Sequence, residues 1–314
     1  MSLRGRHIVV VRCAVLMGLF LLAGCAIEDD RDVCCGNVVM EYSYTPYGVE
    51  ELATCIHSMR HLLFDGEGRF VTEVADDGCK SRQRLALSAG EYTMVTVGNM
   101  DRPLNFDAAD GTLQTLEMEL SSRARAANGG AEGYDSADEL YWGICRMSVQ
   151  GSGDERFVTR MSNIHCHLAV RVIWYNMPDY VGDYRIELDN VSVGYALSPE
   201  RTYVVGDKVM PASNGHTGCY VATVPLRAQE LQTEFVTLRY TDDRLPCLRV
   251  WFGDTAVTGP IDLGRAFETW GWHADAAAVQ EYRIQLTIYS DNTVEVKPWV
   301  EADVEDWQDG GSFG

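Results

Sequence analysis

Tyr282-Arg283-Ile284-Gln285-Leu286-Thr287-Ile288-Tyr289-Ser290-Asp291-Asn292-Thr293-Val294-Glu295-Val296 decides the fold class. Its apolar residues fall at 282, 284, 286 and 288, then at 294 and 296, with Arg, Gln, Thr and Glu between them. Successive side chains of a strand point to opposite faces, so this period of two buries one face and wets the other. Ser290-Asp291-Asn292 supplies the turn, because Asp and Asn side chains bond nearby backbone and tolerate left-handed conformations. The stretch is predicted as a β-hairpin.

The same alternation runs through Val38, Met40, Tyr42 and Tyr44, and again through Leu168, Val170, Val172 and Trp174. Helical periodicity is scarce, and residues 265–279 are the best helix candidate. Short one-faced strands separated by Gly, Asp and Asn describe antiparallel sheets, and two β-sandwiches in tandem would bury them. The chain has 314 residues, enough for two domains. The soft stretch Gln150-Gly151-Ser152-Gly153-Asp154 marks the expected boundary, giving an N-terminal sandwich over 37–150 and a C-terminal one over 154–314. Residues 121–138, rich in Ser, Ala, Gly and Asn and carrying Arg123 and Arg125, read as a flexible loop.

The first 24 residues read as an address. Arg4, Arg6 and Arg12 make a basic start, and the apolar run 15–23 is too short to span a bilayer, which takes about 20 residues. The run closes in Leu22-Ala23-Gly24-Cys25. Small residues at 23 and 24 suit a peptidase cutting between Gly24 and Cys25, and the thiol then exposed can be alkylated with lipid. The string resembles a bacterial lipobox. Several acyl chains on one residue hold stably where a single chain holds marginally. Residues 25–36 form the tether, acidic at Glu28-Asp29-Asp30.

Charge excludes some partners. The formal charge is −20, and removing the three arginines of the leader takes it to about −23. So acidic a surface repels phosphate backbones and anionic head groups, which excludes nucleic acid and leaves the acyl chains as the membrane contact. After the leader and Cys25, eight cysteines remain, at 34, 35, 55, 79, 145, 166, 219 and 247. An exported chain with an even count permits disulfides, with buried free thiols as the alternative, and connectivity is not readable. No C-x-x-C spacing supports a zinc site.

Five spaced features together resemble the fimbrial anchor lipoproteins of the Bacteroidota. They are the lipobox with Cys34-Cys35-Gly36; the hairpin-like Leu62-Leu63-Phe64-Asp65-Gly66-Glu67-Gly68-Arg69-Phe70; and the series Leu85, Leu87, Gly90, Tyr92, Val95, Gly98, Asn99. Tyr141-Trp142-Gly143 and the closing hairpin Tyr282 to Trp299, with its acidic tail to Trp307, complete the set. Thr96 departs from the pattern, where the family often has tryptophan. The resemblance implies two transthyretin-like β-sandwich domains and a non-catalytic role. The chain would sit in the outer membrane, facing outward, at the base of a fimbrium. The implied partner is the fimbrial stalk subunit, joined by strand exchange at an open sheet edge, with the C-terminal hairpin expected to matter. On physical grounds alone, Gly66 and Gly68 suit the positive φ of a tight turn. Tyr92, two residues after Gly90, suits a tyrosine corner.

The sequence carries little that points to catalysis or metal binding. His165-Cys166-His167 would put two imidazoles on one strand face, but no acidic residue is close in sequence, and the alternation continues smoothly into Leu168. No metal or other cofactor is expected. His57 and His61 read as ordinary residues of a strand running from Cys55 to Phe64. No G-x-S-x-G elbow selects a nucleophile, so no catalytic residue is assigned. Trp270-Gly271-Trp272 is the candidate glycan contact of the alternative reading, a surface glycan-binding lipoprotein, with a lid over the second sandwich as the competing structural role. Asp135-Ser136-Ala137 and Asp254-Thr255-Ala256 match a three-residue O-glycosylation pattern.

Overall fold

The computed structural model describes residues 37–300, except 77–78, 102–103, 106–110, 122–132, 135, 152 and 179. From the amino terminus the chain forms β1 (Val38–Ser43), one helical turn α1 (Leu52–Cys55), β2 (Met59–Asp65), β3 (Phe70–Asp76), β4 (Arg82–Leu85), β5 (Gly90–Gly98), β6 (Leu104–Asn105), β7 (Glu117–Leu120) and β8 (Tyr141–Val149). Then come β9 (Glu155–Arg160), β10 (Ser162–Asn163), β11 (His165–Trp174), β12 (Asp183–Ser192), β13 (Gly194–Ala196), β14 (Thr202–Val205), β15 (Lys208–Ser213) and β16 (Thr217–Pro225). The chain continues with β17 (Glu230–Leu238), β18 (Cys247–Phe252), β19 (Thr255–Ala256), β20 (Ile261–Asp262), helix α2 (Leu263–Trp270), β21 (Gln280–Ile288) and β22 (Val294–Pro298).

These strands make β-sandwich layers, as the alternation predicts. The sheet orders are β4-β1-β9, β10-β8-β5-β2-β3, β17-β11-β21-β22, β16-β12-β18-β19 and β14-β15-β13-β7-β6. Nearly all neighbours are antiparallel, but β1 with β9 and β11 with β21 run parallel. Alternation tells a strand which face to bury and says nothing about the direction of its neighbour.

The sheet containing β8, β5 and β2 is covered on both faces. Leu63 and Met94 pack with Val38, Met40 and Met147 on one side. Leu62, Phe64, Val95 and Val97 face the larger cluster on the other. This double burial accounts for unbroken runs such as Leu62-Leu63-Phe64, since a strand buried on both faces has no wet side for polar residues. The larger cluster continues into Leu168, Val170, Leu188 and Ile284, so one apolar core joins N-terminal and C-terminal strands.

Several expectations are adjusted. Residues 150–154 lead from β8 into β9, which pairs with β1, and β10 pairs with β8. The next strand, β11, pairs with β17 and β21. Helix α2 is shorter than the expected 265–279: Asp262 caps it by accepting from the Gly264 N–H at 2.9 Å, and Gly271, at φ +68°, ends it. Of the turn glycines, Gly68 takes a positive φ, +77°, and Gly66 does not. Tyr92 lays its ring against Gly90; a separate tyrosine, Tyr184 on β12, donates its hydroxyl to the Tyr180 carbonyl four residues upstream at 2.7 Å. The cysteines at 55, 145, 166 and 247 are free thiols, and Cys166 is fully buried on β11.

Tyr141-Trp142-Gly143 has a packing reason. Trp142 is completely buried, and at Gly143 the chain leaving β9 passes close by. A Cβ there would sit 2.6 Å from Thr159 Cγ2, 2.8 Å from Met161 Sδ and 3.1 Å from the Arg160 carbonyl. Gly143→Ala is expected to destabilise the protein by about 1–3 kcal/mol, the usual cost of overpacking. A lower urea midpoint at unchanged slope would show it; an unchanged midpoint would refute the close-packing account.

Candidate functional site

A groove of about 460 Å³ lies where β11 emerges beside β8 and β10. Its walls include Tyr44, Glu51 and Cys55 from the β1–α1 region, Glu139 and Tyr141 before and in β8, and His165 and His167 on β11. Glu234 on β17 and Glu281 on β21 complete an acidic rim. On β11, Cys166, Leu168, Val170 and Val172 turn into the core, all at zero exposure. Strand alternation therefore turns His165 and His167 to the opposite, groove-facing side.

Folding supplies the acidic partners that sequence proximity lacks. His167 Nδ1 is 2.6 Å from Glu234 Oε1, and its Nε2 is 3.4 Å from Glu139 Oε1. Glu234 arrives through the antiparallel pairing of β17 with β11, and Glu139 from the connection entering β8. His165 is buried. Its Nδ1–H donates to the Leu140 carbonyl at 2.9 Å, because a carbonyl can only accept. Its Nε2 accepts from the Asn163 amide at 3.0 Å. Desolvation pushes the His165 pKa down to about 4, so the ring is neutral at physiological pH. A series of edge-to-face rings, Tyr44–Tyr141–His165–His167, packs this wall with centroids 4.9–5.3 Å apart. Burial pushes the hydroxyls of Tyr44 and Tyr141 well above their usual range.

Asn99, the last residue of the series that carries the resemblance, is a positioning residue. It adopts φ +59°, a left-handed conformation that Asn tolerates. Its amide donates to the Cys55 and Glu139 carbonyls at 2.9 and 3.2 Å, and its oxygen accepts from His57 N–H at 2.9 Å. One side chain thus ties the end of α1 to the segment carrying Glu139.

The other histidines stand apart. His57 precedes β2 rather than lying in it, and meets Asp101 at 2.7 Å. His61 is buried in β2, stacked on Tyr42, with Nδ1 3.1 Å from Thr96 Oγ1. Thr96 lies directly opposite His61 in the β2–β5 register, which gives a local reason for a small hydroxyl at that departure from the family pattern. Cys55 lines the groove, but desolvation raises its thiol pKa, the reverse of what activates a nucleophilic cysteine.

Trp270 and Trp272 are half-buried rather than displayed. Gly271 does not space two loop rings; it caps α2 after Trp270. The two indoles meet edge to face at 4.9 Å, and Trp272 stacks on Tyr282 at 5.4 Å, over Phe267. Their geometry is that of a lid on the core. Freely exposed aromatics occur elsewhere, at the far end of β11. Tyr175 is 69% and Tyr180 51% exposed, Tyr175 packs beside Tyr289, and Tyr180 stacks on Phe252 at 4.9 Å. With Asn176 and Asn292 nearby, Tyr180 and Tyr289 line a groove of about 630 Å³. Its sequence signal is Trp174-Tyr175-Asn176-Met177-Pro178, apolar rings running into a turn. Thr255 is exposed in the same groove; Asp135 of the other glycosylation match, like Gly24, Cys25, Cys34, Cys35, Arg123, Arg125 and Trp307, lies outside the described residues. No helix among the described residues is long and apolar enough to cross a membrane.

Residues 32–305 match the family described as fimbrillin-A associated anchor proteins Mfa1 and Mfa2. Comparison with curated proteins finds no match. Among solved structures, a proposed adhesin from Bacteroides ovatus superposes with a TM-score of 0.63 at 15% identity, over 85% of this chain and 94% of that one. A proposed polysaccharide-binding protein from Bacteroides thetaiotaomicron gives 0.60 at 14%, over 87% and 99%. The fimbrial anchor protein Mfa2 from Porphyromonas gingivalis gives 0.58 at 16%, over 83% and 97%. At these identities the likeness to each structure is one of fold.

Proposed function

The chain belongs to the family of fimbrillin-A associated anchor proteins, and on that premise we propose that it is a non-catalytic lipoprotein holding a fimbrium to the outer membrane. The observation that carries this reading is the family match over nearly the whole chain, which associates it with fimbrial subunits at the cell surface. In this reading residues 1–24 are removed, lipid on Cys25 is the membrane contact, and the acidic residues 28–30 form the tether behind it. The rest of the chain is two sandwiches with no catalytic task. Cys25→Ala is expected to abolish palmitate labelling and move the protein out of the membrane fraction. Continued labelling and membrane retention would overturn the lipoprotein reading.

The outer edge of β22 supports strand exchange as the mode of contact. β22 ends its sheet. Tyr289 N–H donates to Thr293 and Trp299 N–H to Arg283, so in the β21–β22 register, with Leu286 opposite Val296, the residues bonded to β21 are 295 and 297. Val294, Val296 and Pro298 then turn their backbone outward, offering three carbonyls and, because proline has no N–H, two donors. The opposite edge strand, β17, is covered at Val236, which accepts from Ala137 N–H. Such an unpaired edge is a template for an incoming strand. Val296→Pro removes an outward donor without breaking a bond to β21. It is expected to leave circular dichroism unchanged and to reduce capture of the fimbrial stalk subunit severalfold. Undiminished capture by a folded variant would exclude this edge.

Glycan binding at the cell surface is the second reading, and the exposed Tyr175 and Tyr180 favour it. Sugars stack on exposed aromatic faces, and the neighbouring amides offer hydrogen bonds. Retention on a polysaccharide affinity gel, lost in Tyr175→Ala with Tyr180→Ala and kept in Trp270→Ala with Trp272→Ala, is the expected pattern. Loss in the tryptophan pair alone would return the contact to the lid.

A further inference from the structure

We propose that His165, His167 and Glu139 form a binding site for one divalent transition-metal ion of the zinc class, opening onto the groove beside β11. One ligand atom from each of the three lies within 4.8 Å of the others. Two ligands held about 2.1 Å from one tetrahedral ion stand about 3.4 Å apart, and His167 Nε2 is 3.4 Å from Glu139 Oε1.

The second observation is independent of that proximity. Metal-bound imidazoles hand their other N–H to a carbonyl or carboxylate, which sets the tautomer and aims the lone pair at the ion. Both histidines have this arrangement. His165 gives Nδ1–H to the Leu140 carbonyl, and His167 meets the Glu234 carboxylate through Nδ1 at 2.6 Å. Each ring therefore presents Nε2 as the lone-pair atom. At His165 that atom accepts from the Asn163 amide, so the ion would take the place of one neutral donor.

Chemistry selects the class of ion. Two imidazoles and one carboxylate suit zinc, cobalt, nickel or copper, whereas calcium and magnesium require mostly oxygen. Glu234 and Glu281 add negative charge to the same groove. Three protein ligands leave a position open to water or to a group from a partner. The ion would fasten the segment of Glu139 to β11, across the place where the chain changes sheets. The other converging group, Glu187, Asp189 and Cys219, has no imidazole, and Glu187 is already paired with Arg185 at 2.9 Å.

The test is titration of the chelator-treated full mature chain with zinc chloride, followed by calorimetry, and with cobalt chloride, followed by visible absorption. One equivalent of zinc is expected, with a cobalt spectrum of low, four- or five-coordinate symmetry. Glu139→Gln and His167→Gln alter groups at the groove surface, so their folds should survive, as circular dichroism would check. Each is expected to weaken zinc binding at least about tenfold and to remove the zinc-dependent rise in Tm. His216→Gln, at a surface pair with Glu119, should bind as wild type. No saturable binding at micromolar zinc, or binding unchanged in both Glu139→Gln and His167→Gln, would overturn the site.

Discussion

The Leu140 carbonyl sits where the buried chain passes from one sheet to the next. It accepts from Ile164 N–H at 3.0 Å and from His165 Nδ1–H at 2.9 Å. The Ile164 carbonyl accepts from the Tyr195 hydroxyl at 2.7 Å, and that hydroxyl accepts from Arg239 N–H at 2.9 Å. Arg239, itself buried, donates onward to the Asn163 and Ala278 carbonyls. A buried donor or acceptor left unmade costs about 1–3 kcal/mol, so this connected set of bonds is a constraint on the whole. It orients β11, and β11 orients everything that pairs with it.

From that junction the groove follows. β11 takes β17 on one side and β21 on the other, which brings Glu234 and Glu281 to the rim. The Asn99 side chain holds Glu139 from the opposite wall. In the anchoring role proposed above, the segments of the chain need joining by more than covalent connection. The shared apolar core and the buried bonds at 140, 164, 195 and 239 are suited to that task.

Much of the fold was legible before any coordinates. The hairpin at 282–296 forms as its alternation predicts, with Asp291 accepting from Thr293 N–H and Asn292 at φ +62°. β1 and β11 were equally plain, because a single buried face writes itself as period two. β2 and β5 were harder, since burial on both faces erases the alternation. The parallel pairings were not legible at all. β1 meets β9 and β11 meets β21 across more than a hundred residues, and no local pattern encodes direction. The short α2 was overestimated because apolar residues after Gly271 continue a helical spacing that the glycine cap ends.

The same division holds at the sites. By itself, the amino-acid sequence determined the strand character, the acidic charge, the shared face of His165 and His167, and the resemblance that links the chain to fimbrial anchors. Each of these is a property of neighbours along the chain or of summed composition. Tertiary structure alone decided that Glu139 and Glu234 meet His167, that Trp270 and Trp272 form a lid while Tyr175 and Tyr180 stay exposed, and that β22 ends its sheet. Those depend on which distant strands pair and which face is covered, and that choice is made by the burial of the core as a whole.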